Sequence, residues 1–318
     1  MMGTGPFAVP TFKALYATRH VVAALVTRPA RSVHARGKAP VNPMRETALA
    51  LGAPVLDPED VNSADSHAAL RALAPDLFIV ADYGQILSAE TLAIAPTGGV
   101  NLHASLLPKY RGAAPINWAL YHGETETGVT LIHMTPNLDA GPCIAQRRVA
   151  IGPDLAAGPL EERLAELGAS LIGDTIDALQ AGSVEAIPQD PALATSARRL
   201  RKSDGRIDWT RSAEQVRNQI RAMQPWPKCH THWLRDGAEP LRLIIGQIEV
   251  VGAVVGASES GSPGTVLQAS DDRLVVAAGA DAARVLHIQP SGKRMLTAEE
   301  FLRGYPVQPG DRFGNTEK

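Results

Sequence analysis

At Trp226 the hydrophobic pattern of this 318-residue chain changes period, and that change limits the architectures open to it. Upstream, apolar runs at 20–27, 54–56, 76–81, 98–104 and 128–134 alternate with segments of helical period at 43–51, 63–73, 88–95, 114–122 and 160–180. The run 76–81 is short and, after Asp76, continuously apolar, as a strand covered on both faces requires. Such alternation predicts an α/β domain with a mostly parallel sheet, whose ligands lie at the carboxyl ends of the strands. Downstream, runs at 230–233, 241–251, 264–267, 273–277 and 283–290 are separated by Gly, Pro, Asp and Ser, the pattern of a small barrel or sandwich. Between the two regimes, 188–205 carries prolines, small residues and a basic cluster and reads as a linker. A helix capped by Ser212 follows over 212–223. The expected division is a domain over 1–187, the linker at 188–205 and a second domain over 206–318.

Length supports two domains, each with its own core. The net charge of −2 is uninformative, but its distribution is not. Residues 151–196 hold eight acidic side chains and one basic, whereas 197–243 hold eleven basic and five acidic. A basic second half behind a near-neutral first fits chemistry in one domain and a polyanion on the other, although a solvated basic face gives the same count. The loop 28–42 adds Arg28, Arg31, Arg36 and Lys38 without an acidic residue. An aromatic content of 4% argues against a protein built on base stacking. Cys143 and Cys229 are far apart and outside any metal-ligand spacing, which argues against a disulfide framework or a zinc site. The longest apolar run, 241–257, contains Arg242 and Glu249 and reads as two strands with a turn, not a membrane span. No targeting segment is visible, so the expectation is a cytoplasmic protein without a membrane partner, acting as a monomer. Gly3-Thr4-Gly5 has incomplete spacing for a dinucleotide fingerprint.

Chemistry concentrates in 100–141. Asn101 and His103 are two apart at a strand end, so their side chains leave on one face. Asp139 follows in a loop punctuated by Pro136 and Gly141. An amide donor, an imidazole and a carboxylate converging at strand ends suit acyl transfer, in which an oxyanion needs a donor and an incoming amine must lose a proton. Taken singly, each has a plainer reading: Asn101 as a strand-end hydrogen-bonder, His103 as a packed core histidine, Asp139 as a turn residue.

Together these residues carry a resemblance. NLHASLLPKYRGAAPINWAL followed by GVTLIHMTPNLDAGP resembles the core of the folate-dependent formyltransferases, whose catalytic Asn, His and Asp match Asn101, His103 and Asp139. The likeness continues in MGTGPFAVPTFKAL, ADYGQIL, DGRIDWTRSAEQVRNQIRAMQPWP, PGTVL, IQPSGKRMLTAEEFLRG and PGDRFG, and so spans nearly the whole chain. It implies the Rossmann-like formyltransferase fold followed by an OB-like β-barrel that binds tRNA. In the family a hydrophobic strand precedes the MGT turn, and the sequence supplies no residues for it.

The resemblance also implies the reaction: transfer of a formyl group from 10-formyltetrahydrofolate to the amino group of methionine on initiator tRNA, for translation initiation, with no metal. It places the folate pocket at Tyr83, Gly84, Ile86, Leu87, Ser105, Leu106, Leu107 and Pro108, though the apolar ones equally suit a core. Arg36, Lys38, Lys202, Arg206 and Arg217 become tRNA contacts. Two other functions compete: a formyltransferase acting on a small amine, such as a nucleotide or amino sugar, and a tRNA-binding protein with an inactive core.

Overall fold

The computed structural model describes residues 1–29, 41–235, 237–252 and 261–316. The chain forms two compact units. One comprises Met1–Ile116, Thr125–Ile151 and Pro159–Arg199; the other comprises Asn117–Glu124, Gly152–Gly158 and Leu200–Lys318. The boundary near residue 200 falls inside the stretch expected to be a linker, because residues 189–197 bond to the first unit through their backbone and side chains.

The first unit contains strands β1 (Leu25–Val26), β2 (Val55–Leu56), β3 (Phe78–Val80), β4 (Gly99–His103), β5 (Glu126–His133) and β6 (Cys143–Ala150). β1 pairs with β2 and β3 with β4 in parallel, while β5 and β6 extend the sheet antiparallel. Between β1 and β3 lies Met2, bridged in parallel to both Val26 and Val80 and fully buried. Its N–H donates to the Ile79 carbonyl, and its own carbonyl accepts from Ala81. The inner place of the sheet is therefore taken by the residues just ahead of the glycine turn. Of the apolar run 20–27 only its end is a strand; Val21 is exposed, and His20 turns to the Asp177 carboxylate.

Helices α1 (Val9–Tyr16), α2 (Pro43–Ala50), α3 (Ala64–Ala72), α4 (Ala89–Leu92), α5 (Pro115–Tyr121) and α6 (Ala157–Gln180) alternate with these strands. Asn42, Ser63 and Ser88 cap α2, α3 and α4, each accepting the N–H three residues on. α6 buries Leu160, Leu164, Leu171 and Ile172 on one stripe. At Gly168 a methyl group would sit 2.5 Å from Leu102 Cδ2, so the missing side chain lets α6 close onto β4. Leu102 thus points to the helix, and Asn101 and His103 are left on the other face of the strand.

The second unit holds α7 (Ala213–Ala222), strands β7 (Cys229–Leu234), β8 (Leu241–Val251), β9 (Val266–Ser270), β10 (Arg273–Ala277), β11 (Ala282–Pro290), β12 (Leu296–Thr297) and β13 (Arg312–Gly314), and α8 (Ala298–Gly304). Ser212 caps α7, as expected, and the structure adds a capping box with Gln215. The sheet is antiparallel in the order β13-β7-β8-β11-β10-β9. Its two edges meet where Gly264 donates to Ala277 and accepts from Phe313, which curls the sheet into a barrel. Gly264 has φ +91°, and a side chain there would lie 2.2 Å from the Phe313 carbonyl. The run 241–257 differs from its sequence reading: β8 passes through Gly246 as one strand to Val251, with no turn in the described part. Among the described residues no helix is long and apolar enough to cross a membrane.

Candidate active site

Asn101, His103 and Asp139 meet. The Asn101 amide nitrogen donates to Asp139 Oδ1 at 3.3 Å, and His103 Nδ1 lies 3.6 Å from Asp139 Oδ2. Both His103 and Asp139 have under a tenth of their side-chain surface exposed. The other imidazole nitrogen, Nε2, is 2.8 Å from the Tyr110 carbonyl. A carbonyl only accepts, so Nε2 carries a hydrogen, and Nδ1 is the nitrogen turned to the carboxylate.

The Asp139 loop is held firmly. Asp139 has φ +50°, a left-handed conformation that needs local support. Gly112 supplies part of it, donating its N–H to Asp139 Oδ2 at 2.8 Å. Gln189 supplies more: its amide donates to the carbonyls of Asp139 and Gly141, and its oxygen accepts from two nitrogens of Arg111. Gln189 and Arg111 escape a sequence reading because Gln189 acts on backbone and Arg111 acts only through Gln189, from 50 and 28 residues away from Asp139 in the chain, in no local motif.

Thr130 on β5 organises the loop after β4. Its hydroxyl donates to the Ser105 carbonyl and accepts from the N–H of Leu107 and the amide of Gln146. Ser105 is fully buried and donates to the Lys109 carbonyl, Leu107 is buried, and Leu106 and Pro108 are half-buried. The loop after β3 is pinned from outside. Gln85 accepts from Val61 and donates to Pro58, while Asn62 donates to the Ile86 carbonyl and accepts from Ser88. Thr4 donates to the Tyr83 carbonyl, tying the glycine turn to the same loop.

Within that loop, Leu87 and the Tyr83 ring lie in the apolar core, which leaves them to back the loop, whereas Ile86 is exposed. The Tyr83 hydroxyl is buried without a partner, and burial pushes its pKa up to about 12. Gly84 has φ +81° and is open to solvent. The backbone N–H groups of Gly84, Gln85 and Leu87 have no protein acceptor among the described residues. Asp82 also has positive φ, and its Oδ2 lies where a side chain on Gly5 would be. Burial raises the Asp82 pKa to about 6. The residue keeps solvent exposure, so this is a carboxylate in a recess, not in the core. Among the described residues no three His, Cys, Asp or Glu side chains gather as metal ligands would.

The cations expected to meet tRNA are divided. Lys202 and Arg206 line one cleft of the second unit with Trp226, His230 and Arg242. Arg217 is not among the lining residues; it lies on α7, 3.3 Å from Glu214. Arg36 and Lys38 lie outside the described residues.

Comparison with known proteins extends this geometry. Residues 1–176 match the Formyl transferase family, and 199–306 match its C-terminal domain family. The chain is 42% identical over 315 residues to the methionyl-tRNA formyltransferase of Moorella thermoacetica, covering 98% of each chain. It is 41% identical over 313 residues to that of Geobacter sulfurreducens, covering 98% of this chain and 95% of the relative. Among solved structures, an N-formyltransferase of Helicobacter canadensis, crystallised with folinic acid and dTDP-3-aminofucose, superposes with a TM-score of 0.65. At 16% identity, over 91% of this chain and 97% of that one, it supports the fold alone.

Proposed function

The chain belongs to the methionyl-tRNA formyltransferase family, and from that premise we propose that it transfers the formyl group of 10-formyltetrahydrofolate to the α-amino group of methionine esterified to initiator tRNA. The observation that carries the chemistry is the meeting of Asn101, His103 and Asp139 in one enclosed cluster. What favours an RNA-borne amine over a small one is the likeness to these relatives across the second unit as well as the first.

In this reading the amine nitrogen attacks the formyl carbon and forms the new C–N bond. Negative charge collects on the formyl oxygen. The bond to the folate N10 then breaks, N10 takes a proton and the former amine gives one up. Asn101 has two amide hydrogens; one is held by Asp139, and the other serves the oxyanion. Asp139 is the acceptor for the amine proton, directly or through water, and His103 stands beside that carboxylate with Nδ1 turned to it. The 3.6 Å between them is longer than a hydrogen bond, and such contacts tighten when substrate enters.

The loop after β3 suits folate. A pterin ring is flat and edged with donors and acceptors, and the unpartnered backbone groups of Gly84, Gln85 and Leu87 match such an edge. Exposed Ile86 and the half-buried Leu106 and Pro108 offer apolar contact, while Tyr83, Leu87, Ser105 and Leu107 shape the wall from behind. Arg36, Lys38, Lys202, Arg206 and Arg217 are assigned to tRNA phosphates, and the reaction places the protein in the cytoplasm, where initiation occurs.

Incubation with 10-formyltetrahydrofolate and methionine-charged initiator tRNA tests the whole reading. Formyl-methionine on the tRNA is expected. Formylation of a small amine such as an amino sugar, with none on tRNA, would overturn it.

A further inference from the structure

The second unit contains a cleft of about 520 Å³, a size within the usual range for small-ligand sites. Its walls are built. The amide of Gln219, buried on α7, donates to the carbonyls of both Asp204 and Arg206 at 2.8 Å, which fixes the turn bearing Lys202 and Arg206. Gly205 between them lies so close to the next segment that a side chain would stand 2.2 Å from the Lys228 carbonyl. On the far side, Gln224 donates to the Gly246 carbonyl, which anchors the segment leading into Trp226. His230 on β7 and Arg242 on β8 stand on the outward face of the barrel, since the alternate residues Cys229, Thr231 and Leu243 are buried.

The lining has a particular chemistry. Lys202, Arg206 and Arg242 are exposed, and no carboxylate pairs with any of them among the described residues. No acidic side chain lines the cleft. Three unneutralised cations held this close await an anion. Beside them stands Trp226, an indole with 49% of its surface open although it is among the largest apolar side chains. His230 is held below the ordinary imidazole range by burial and then by the Arg242 charge, so near neutrality it adds a flat uncharged ring to the cleft. Cations alone would suit any phosphate. A half-exposed indole next to them suits a phosphate that carries a base.

We propose that this cleft takes one unstacked nucleotide of the tRNA, its base lying on the Trp226 indole and its flanking phosphates on Arg206, Arg242 and Lys202. The proposal rests on the reading of tRNA as the carrier of the amine, and adds to it a single-stranded element as the thing gripped. Aromatic stacking tolerates any base, so this contact contributes affinity without sequence choice.

Binding of uncharged initiator tRNA to the full chain, measured by filter retention across a salt series, tests it. Trp226→Ala is expected to weaken binding about 5- to 150-fold, the worth of one base stack, without changing the slope of log affinity against log salt. Trp226→Phe keeps a ring and is expected to retain most of the affinity. Arg206→Gln and Arg242→Gln are each expected to make the slope shallower by about one. Equal binding by wild type and Trp226→Ala overturns the stacking, as does an equal loss in Ala and Phe variants, which would report packing in place of stacking. Adenosine monophosphate that binds as tightly as tRNA would reassign the cleft to a free nucleotide and overturn the proposal. Wild-type protein that formylates charged tRNA while Trp226→Ala binds normally loses only this inference. Wild type that neither binds nor formylates tRNA loses the functional reading beneath it.

Discussion

The Gly112 N–H donates to the Asp139 carboxylate at 2.8 Å, and Gly112 can do so only because it has no side chain. Its φ is +124°, and a methyl group there would lie 2.6 Å from the Ala197 carbonyl. Gly112→Ala therefore introduces both backbone strain and a clash with a carbonyl that is itself bonded to Ala114. We expect a loss of roughly 1–3 kcal/mol of stability. Formylation should fall further than the folded fraction does, because the clash moves the N–H that fixes the carboxylate. Thermal unfolding with single-turnover formylation separates the two effects; unchanged turnover per folded molecule would show that Asp139 needs no help from Gly112.

Asn101→Ala removes the donor assigned to the formyl oxygen. Loss of one such donor typically lowers kcat about 10²- to 10³-fold. The interaction exists mainly in the transition state, so KM for folate and for tRNA should move little. Asn101→Asp should be at least as severe, since a second carboxylate would then face Asp139 across the 3.3 Å contact. Steady-state kinetics on both variants checks this, and near-normal kcat in Asn101→Ala would place the oxyanion elsewhere.

How far the sequence reaches is clearest at β4 and β6. Asn101 and His103 were readable as neighbours on one face because a strand has a period of two, and Leu102 against Gly168 confirms that face. β6, with Gln146, Arg147 and Arg148 in its middle, has no apolar alternation to announce it. It exists because β5 offers it a full antiparallel ladder, a tertiary cause invisible along the chain. The loop after β3 was half legible: its motif was visible, but not that Leu87 and Tyr83 turn inward while Ile86 turns out. The basic cluster was visible as charge, yet nothing in spacing separates Lys202 and Arg206, which share a cleft, from Arg217, which does not line it.

Gln189 is the clearest positioning residue outside the three. Its single amide joins Arg111 to the backbone on both sides of Ala140. Gln189→Ala strands two half-buried carbonyls and a guanidinium, at a cost of about 1–3 kcal/mol. Gln189→Glu should be worse for turnover, because a carboxylate oxygen would then face the two carbonyls that the amide now satisfies. We expect kcat to fall in the order wild type, Ala, Glu, with KM for folate nearly constant. A Glu variant with full kcat would mean that the loop holds its shape without this bond.

Asp82 gives a stability prediction of definite sign. Burial raises its pKa from 3.8 to about 6, with its carboxylate over Gly5. Glu161 is raised too, by burial and then by the Asp82 charge. Below about pH 3.8 the Asp82 carboxyl is protonated folded or unfolded and has no effect on stability. Between 3.8 and about 6 the folded protein keeps a proton that the unfolded chain releases, so stability falls as pH rises; above about 6 the full penalty stands. Solvent reaching this recess screens the charge and keeps the effect modest. Asp82→Asn removes the titration, and it also relieves the repulsion on Glu161. The variant should therefore melt higher than wild type at pH 7.5, with the difference shrinking toward pH 4. Paired thermal scans at the two pH values read this directly, and a variant less stable than wild type at pH 7.5 would mean that the charged carboxylate is held by a favourable partner instead of merely enclosed.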